Sequence, residues 1–372
     1  MTQSEKSAIV RTRHPRILVR ATNWIGDSVM SMPAVQRLRE FEPEAYIALL
    51  CPARLHDIWR HNPFLSEVIP FDGVPDINDL RKRRFDVAVI FPNSFRSGWE
   101  SWRAGIPTRV GFAGHYRRKL LTDVVQEPPN EQAVRKKVTV GTKTFEVKHF
   151  PTIRHQSHRY LDVIAYLGGK ADYVPPRIWL APGELPSLTK FLHEGARPFF
   201  GLNSGAEYGP AKRWSAERYA EVASRVSAEI PCRWLLFGGS KDVEIANRIE
   251  SELRERFKDP RAVVNVAGKT TLMELCELIK FCRLFLTNDT GPMHLADALG
   301  TPLVAIFGST SAELTGPKGK HTRVVHVPVE CSPCFLRECP IDFRCMKRIT
   351  VDQVTEAAAR LWHETEKTHQ HI

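Results

Sequence analysis

The feature that most constrains this chain is an alternation: short apolar runs alternate with segments of helical period, and the runs end in loops carrying Gly, Asn, Asp or Lys. Runs at residues 16–20, 46–51, 67–70 and 85–91 occupy the first half, and runs at 198–203, 232–237, 262–266, 284–287 and 302–307 the second. Continuous apolar runs bounded by turn residues read as strands buried on both faces. Strands alternating with helices give parallel sheets covered on both sides. The fold class predicted is α/β. A helix over 30–41 carries Met30, Pro33, Ala34, Leu38 and Phe41 near one face, with shorter helices near 55–61 and 79–84. Further helices are expected over 158–167, stopped by Gly168 and Gly169; over 215–230, with Ser215 as N-cap and Glu217 and Glu221 near its start; and over 242–257. The segment 126–152 is rich in Pro, Lys and Arg with weak periodicity and reads as an extended loop or partly mobile insertion. Pro175, Pro176 and the stretch 182–186 mark a linker. The expected organisation is one domain over 1–180, a second over 187–350, and a final helix over 351–372 packing back toward the first domain.

At 372 residues, 42% hydrophobic and 26% charged, the chain can bury two cores. Its first sixteen residues are polar and basic, without the apolar stretch of a signal peptide. No run approaches the roughly 18 apolar residues of a membrane span. A soluble, cytoplasmic protein is expected. The formal charge of +11 invites an anionic partner, and it is concentrated: residues 96–143 hold ten Lys or Arg against four Asp or Glu, a net +6. Nucleic acid, an anionic membrane surface and a phosphorylated substrate all fit, and a merely solvated basic surface has equal weight. The chain lacks an RNA-binding or helix-turn-helix signature, so no nucleic-acid partner is expected. Of eight cysteines, Cys51, Cys232, Cys276 and Cys282 sit in or beside apolar runs and read as small core residues.

Four loops at strand ends carry chemistry, which is where open α/β sheets bind ligands. Asn288, Asp289, Thr290, Gly291, Pro292, Met293 and His294 follow a strand and open a helix, whose free N–H groups and dipole favour phosphate. Asp289 or Thr290 acting only as a helix cap is the simpler alternative. Ser204 and Gly205 begin a loop that brings two cations, Lys212 and Arg213, and a lysine there is a natural partner for a diphosphate. Asp27 closes the loop that begins at Asn23 and passes through Gly26; it is either a base toward an acceptor hydroxyl or an N-cap. Asp242, with Glu244 nearby, follows Gly238 and Gly239, and an acid there can hold ribose hydroxyls. Cys331, Cys334, Cys339 and Cys345 have spacing that a structural zinc or iron–sulfur cluster could use, against the alternative of reduced structural or redox-labile cysteines. The cluster has no evident catalytic role.

Three of these blocks together, at 16–39, 201–219 and 286–316, resemble the glycosyltransferase family that contains the lipopolysaccharide heptosyltransferases. The first two look most like members that add the second heptose of the inner core. The resemblance implies a GT-B fold: two facing Rossmann-like domains with parallel sheets and an inter-domain cleft. It implies inverting, metal-independent transfer from ADP-L-glycero-β-D-manno-heptose, with no cofactor. The acceptor implied is the anionic inner core, Kdo2-lipid A bearing one heptose; a first or third heptosyltransferase, or a relative with another acceptor, is the alternative. Asp27 matches the general base, Lys212 the diphosphate contact, and Asp289, Thr290, Gly291 and His294 the donor loop. Asp242, or Glu244 if the alignment slips, matches the acid that holds the nucleoside. Ser204 and Gly205 stand where some relatives carry hydroxyls. A membrane-borne acceptor implies peripheral contact with the cytoplasmic face of the inner membrane. Trp99 and Trp102, flanked by Arg96 and Arg103, are candidates for that contact, though the simpler expectation is that both pack in the core.

Overall fold

The structure is a computed structural model that describes residues 14–114, 116–181, 186–192 and 197–369, without the side chains of 186, 187 and 367–369. The expected linker at 182–186 lies largely outside the described residues. The chain divides into two compact units, one of 1–132 with 154–180 and the other of 133–153 with 181–372.

In the first unit β1 (Arg16–Arg20), β2 (Tyr46–Pro52), β3 (Glu67–Phe71), β4 (Val87–Ile90), β5 (Thr108–Phe112) and β6 (Asp123–Val125) form one sheet in the order β3-β2-β1-β4-β5-β6. Every pairing is parallel. The second unit contains a hairpin of β7 (Val134–Val140) and β8 (Lys143–His149). Its main sheet holds β9 (Phe199–Asn203), β10 (Arg233–Phe237), β11 (Val263–Asn265), β12 (Leu284–Asn288), β13 (Leu303–Phe307) and β14 (Thr322–His326). The order β11-β10-β9-β12-β13-β14 repeats that of the first sheet, again all parallel. In each sheet the order reverses beside the first strand of its series, and the crevice at that switch point is where a doubly wound sheet takes its ligand. The fold is α/β of the GT-B type, with buried central strands: all four residues of β4 in the first sheet and all five of β10, β12 and β13 in the second are buried.

One segment departs from expectation. Residues 126–152 are not a loop. Residues 134–149 form an antiparallel hairpin around Gly141, whose φ of +59° suits the turn. Val138, Val140 and Phe145 face the second unit's core, and Phe150 meets Phe335 edge-on at 5.2 Å. Three consecutive cations, Arg135, Lys136 and Lys137, hid the strand period in the sequence. The helix Val351–His369 belongs to the second unit and buries Val354, Ala358 and Leu361 in that unit's core. Arg225–Asp352, Arg283–Glu366 and Arg323–Glu364 ion pairs tie its polar face to the same unit. Among the described residues no helix is long and apolar enough to cross a membrane.

Candidate active site

In the second unit the switch point lies between β9 and β12, and the candidate donor residues meet there. Asn288, fully buried at the end of β12, donates its amide to Ser204 O at 2.8 Å and accepts from the Tyr219 hydroxyl at 2.9 Å. It thereby fastens the loop after β9 to the loop after β12. Burial pushes the Tyr219 phenol well above its ordinary value, which keeps it a donor.

Lys212 reaches this point at the end of a short 3-10 turn, Pro210–Lys212. Its ammonium donates to Asp289 Oδ2 at 2.6 Å and lies 4.9 Å from the Tyr208 ring centroid. The same carboxylate oxygen accepts from Thr310 Oγ1 at 2.6 Å. Asp289 is therefore a buried anchor that orients Lys212, and it caps nothing. Thr290 occupies the cap position of the helix Gly291–Leu299 but makes no side-chain cap bond. The helix opens with its dipole unopposed by a capping oxygen, which suits an anion. His294 is buried in the first turn.

Asp242 sits beside this cluster. Its carboxylate accepts from Gly239 N at 3.1 Å and from Arg213 Nη2 at 3.1 Å. Glu244 lies in the first turn of the following helix Val243–Arg256. Gly205 explains how Asp242 fits: a Cβ at 205 would lie 2.3 Å from Asp242 Oδ2. The glycine thus makes room for the acid. Ser204 Oγ is buried and has no hydrogen-bond partner among the described residues, so this hydroxyl remains able to serve a ligand.

The first unit carries Asp27. It lies in the first turn of the helix Ile25–Phe41, whose cap position is Trp24, so the N-cap alternative does not hold. Asp27 Oδ1 accepts from Gln156 Nε2 and, at 3.1 Å, from the Tyr160 hydroxyl. Burial, and then the neighbouring Asp27 carboxylate, hold the Tyr160 phenol well above its ordinary value, so it stays protonated and donating. Asn23 is fixed from both sides: Arg20 donates to its Oδ1 at 3.3 Å, and Arg54 donates to its carbonyl. Gly26 is the second residue of the same helix. Arg20 in turn pairs with Glu100 at 2.8 Å, both nearly inaccessible. Gln156, Tyr160, Thr310 and the Arg20–Glu100 pair escape the sequence reading. Thr310 alone carried a signal, since it follows a buried strand.

The four clustered cysteines converge on a cavity of about 10 Å³ that Phe145 of the hairpin also lines. All are free thiols. Burial pushes the Cys345 thiol up to about 12 and raises those of Cys331 and Cys334. Among the described residues no group of three or more His, Cys, Asp or Glu is placed to hold a metal ion. The cluster instead seats the hairpin: Lys148 N donates to Cys334 O at 3.4 Å, and Lys143 Nζ to Pro340 O at 2.9 Å.

Comparison with known proteins places these features. Residues 77–343 match the model of glycosyltransferase family 9 (heptosyltransferase). Lipopolysaccharide heptosyltransferase 2 of Escherichia coli (strain K12) is 32% identical over 331 residues, spanning 84% of this chain and 88% of the relative. Lipooligosaccharide heptosyltransferase 2 of Campylobacter jejuni (strain NCTC 11168) is 28% identical over 93% of this chain and 98% of its own length. The solved structure of E. coli ADP-heptose lps heptosyltransferase II superposes with a TM-score of 0.77 at 30% identity, covering 94% of this chain and 99% of that one. A doubled Rossmann order and this likeness along nearly the whole chain lead to one assignment: the chain is a glycosyltransferase and belongs to family 9, the heptosyltransferases.

Proposed function

We propose that this glycosyltransferase moves L-glycero-D-manno-heptose from ADP-heptose to the first heptose of the lipopolysaccharide inner core, with inversion at the anomeric carbon. The observation that carries the reading is the meeting of Lys212, the uncapped N-terminus of Gly291–Leu299 and Asp242 at one switch point. That set supplies a cation and backbone donors for a diphosphate and a carboxylate for ribose hydroxyls. The names of the relatives above support ADP-heptose as donor and lipopolysaccharide as the class of acceptor. In the proposed step the acceptor hydroxyl attacks the anomeric carbon, its proton passes to the Asp27 carboxylate, and the bond to ADP breaks. Lys212 has three N–H donors and gives one to Asp289, so two remain for the developing charge on the departing diphosphate. Gln156 and Tyr160 hold the Asp27 carboxylate in place through hydrogen bonds to its Oδ1. We propose that no metal or other cofactor is needed, which activity retained in a chelator would support. We also place the enzyme in the cytoplasm, peripheral to the inner membrane where its acceptor resides.

The test separates the two halves of the assignment. Asp27→Ala should lower turnover by roughly 10²–10⁴-fold while ADP-heptose binding, followed by calorimetry, persists. Lys212→Ala should weaken donor binding, slow turnover, or both. Near-normal turnover in the first variant removes Asp27 from the base role, and unchanged kinetics in the second place Lys212 outside the site.

A further inference from the structure

The helix Phe95–Arg103 is turned the opposite way from an ordinary surface helix. It buries Ser97, Gly98, Glu100 and Ser101 and presents Phe95 and Trp102 to solvent at 51% and 47% exposure, with Trp99 half-buried between them. Phe95, Trp99 and Trp102 follow i, i+4, i+7 spacing, so they form one stripe. The expectation that both tryptophans pack in the core therefore fails. The reason is electrostatic: Glu100 must turn inward to meet Arg20, and that rotation carries the aromatics outward. The stripe does not lie alone. Val74, 60% exposed, follows Gly73, whose carbonyl accepts from Arg96. A Cβ on Gly98 would touch Arg117 and Leu120, so the turn 116–120 lies against the same helix. That turn carries Tyr116, 99% exposed and held at φ +59°, where a bulky side chain is rarely found.

Charge identifies the occupant. Residues 95–120 contain six Lys or Arg and a single acid, Glu100, which is buried and already paired. Arg96, Arg103, Arg118 and Lys119 are exposed, and Arg81 is held at the end of the helix through the Arg103 carbonyl. Exposed aromatics at the edge of a cation cluster match an anionic bilayer surface, where rings enter the headgroup level and cations meet the lipid phosphates.

We propose that the aromatic face of Phe95–Arg103, with the turn at 116–119, docks this enzyme on an anionic lipid surface. The proposal deepens the functional reading above, since it rests on an acceptor that lives in a membrane. The face is linked to the acceptor loop by the relay Glu100–Arg20–Asn23, so docking and acceptor entry share one rigid support.

The experiment uses the full chain and vesicles of phosphatidylethanolamine with phosphatidylglycerol, against vesicles of phosphatidylcholine alone. Sedimentation should show binding to the first and little to the second. Phe95→Ser/Trp102→Ser should weaken binding roughly tenfold or more, and Arg103→Glu/Arg118→Glu/Lys119→Glu roughly a hundredfold or more. Both variants should keep wild-type turnover on a delipidated inner-core oligosaccharide carrying one heptose. The proposal is overturned by absence of binding to anionic vesicles, by variants that bind like wild type, or by loss of turnover on the delipidated acceptor. Salt-sensitive binding of duplex DNA without vesicle binding would also overturn it, in favour of a nucleic-acid surface. Failure of heptose transfer with intact vesicle binding would strike the functional reading alone.

Discussion

Replacing Glu100 by Gln should destabilise the first unit by about 3 kcal/mol, at the lower end of the ~3–5 kcal/mol range for breaking a buried ion pair. The two side chains are 3% and 1% exposed and meet at 2.8 Å. Without the carboxylate, Arg20 keeps its bonds to Ala21 O at 2.6 Å and Asn23 Oδ1 at 3.3 Å, and its guanidinium stays 4.7 Å from the Phe71 ring centroid. Those contacts offset part of the stranded charge, which is why the low end of the range applies. With a urea dependence of ~1–3 kcal/mol per molar, the midpoint should fall by roughly 1–3 M. A chain of two units need not unfold in one step. The assay is therefore hydrogen exchange in urea, with amides of β1 and β4 reporting on one unit and those of β9 and β12 on the other. The loss should be confined to β1 and β4. Adding Arg20→Met should recover much of it, because the pair is then replaced by apolar contact. A loss below about 1 kcal/mol, or one shared equally by both sheets, would refute the reasoning.

Other substitutions probe the site directly. Gly205→Ala places a methyl against the Asp242 carboxylate and should weaken donor affinity roughly tenfold by titration calorimetry, since roughly 1–3 kcal/mol is the usual cost of overpacking; unchanged affinity would detach Asp242 from the donor. Tyr160→Phe removes one donor from Asp27 Oδ1, a bond to a charged group worth about 1.5–3 kcal/mol. Turnover should drop roughly 10–100-fold with donor binding intact, and equal loss of both would make Tyr160 a packing residue only. Buried thiols set the alkaline limit. Cys51 and Cys345 are each pushed from 9.0 to about 12 by burial, so the unfolded chain loses those protons first and the stability they contribute, complete below pH 9, declines as pH rises toward 12. Urea midpoints that hold constant from pH 8 to 11 would contradict this. In native protein at pH 8, half-exposed Cys339 should alkylate before the buried cysteines, as mass spectrometry of tryptic peptides can read.

The sheets were legible because strands buried on both faces leave unbroken apolar runs, as in Leu284–Asn288 and Leu303–Phe307. Several strands with exposed or charged residues left no such trace. Thr108–Phe112 begins half-exposed, Thr322–His326 lies on a sheet edge, and the hairpin's first strand reads Val, Arg, Lys, Lys before its apolar residues. The candidate donor loops were legible because glycine and charge after a strand mark the ligand end of such a sheet. What surrounds Asp27 was not. Gln156 and Tyr160 lie about 130 residues away in sequence, and only the packing of the helix Ser157–Leu167 against Ile25–Phe41 brings them in. The outward tryptophans were illegible for a similar reason, since helix rotation was decided by Glu100 finding Arg20 across 80 residues.

The most direct test of the central claim is incubation of the purified chain with ADP-heptose and each of two acceptors, Kdo2-lipid A and its monoheptosylated form, with products read by mass spectrometry. The account predicts one added heptose on the monoheptosylated acceptor and none on Kdo2-lipid A. Transfer to Kdo2-lipid A alone, or to neither, would contradict it.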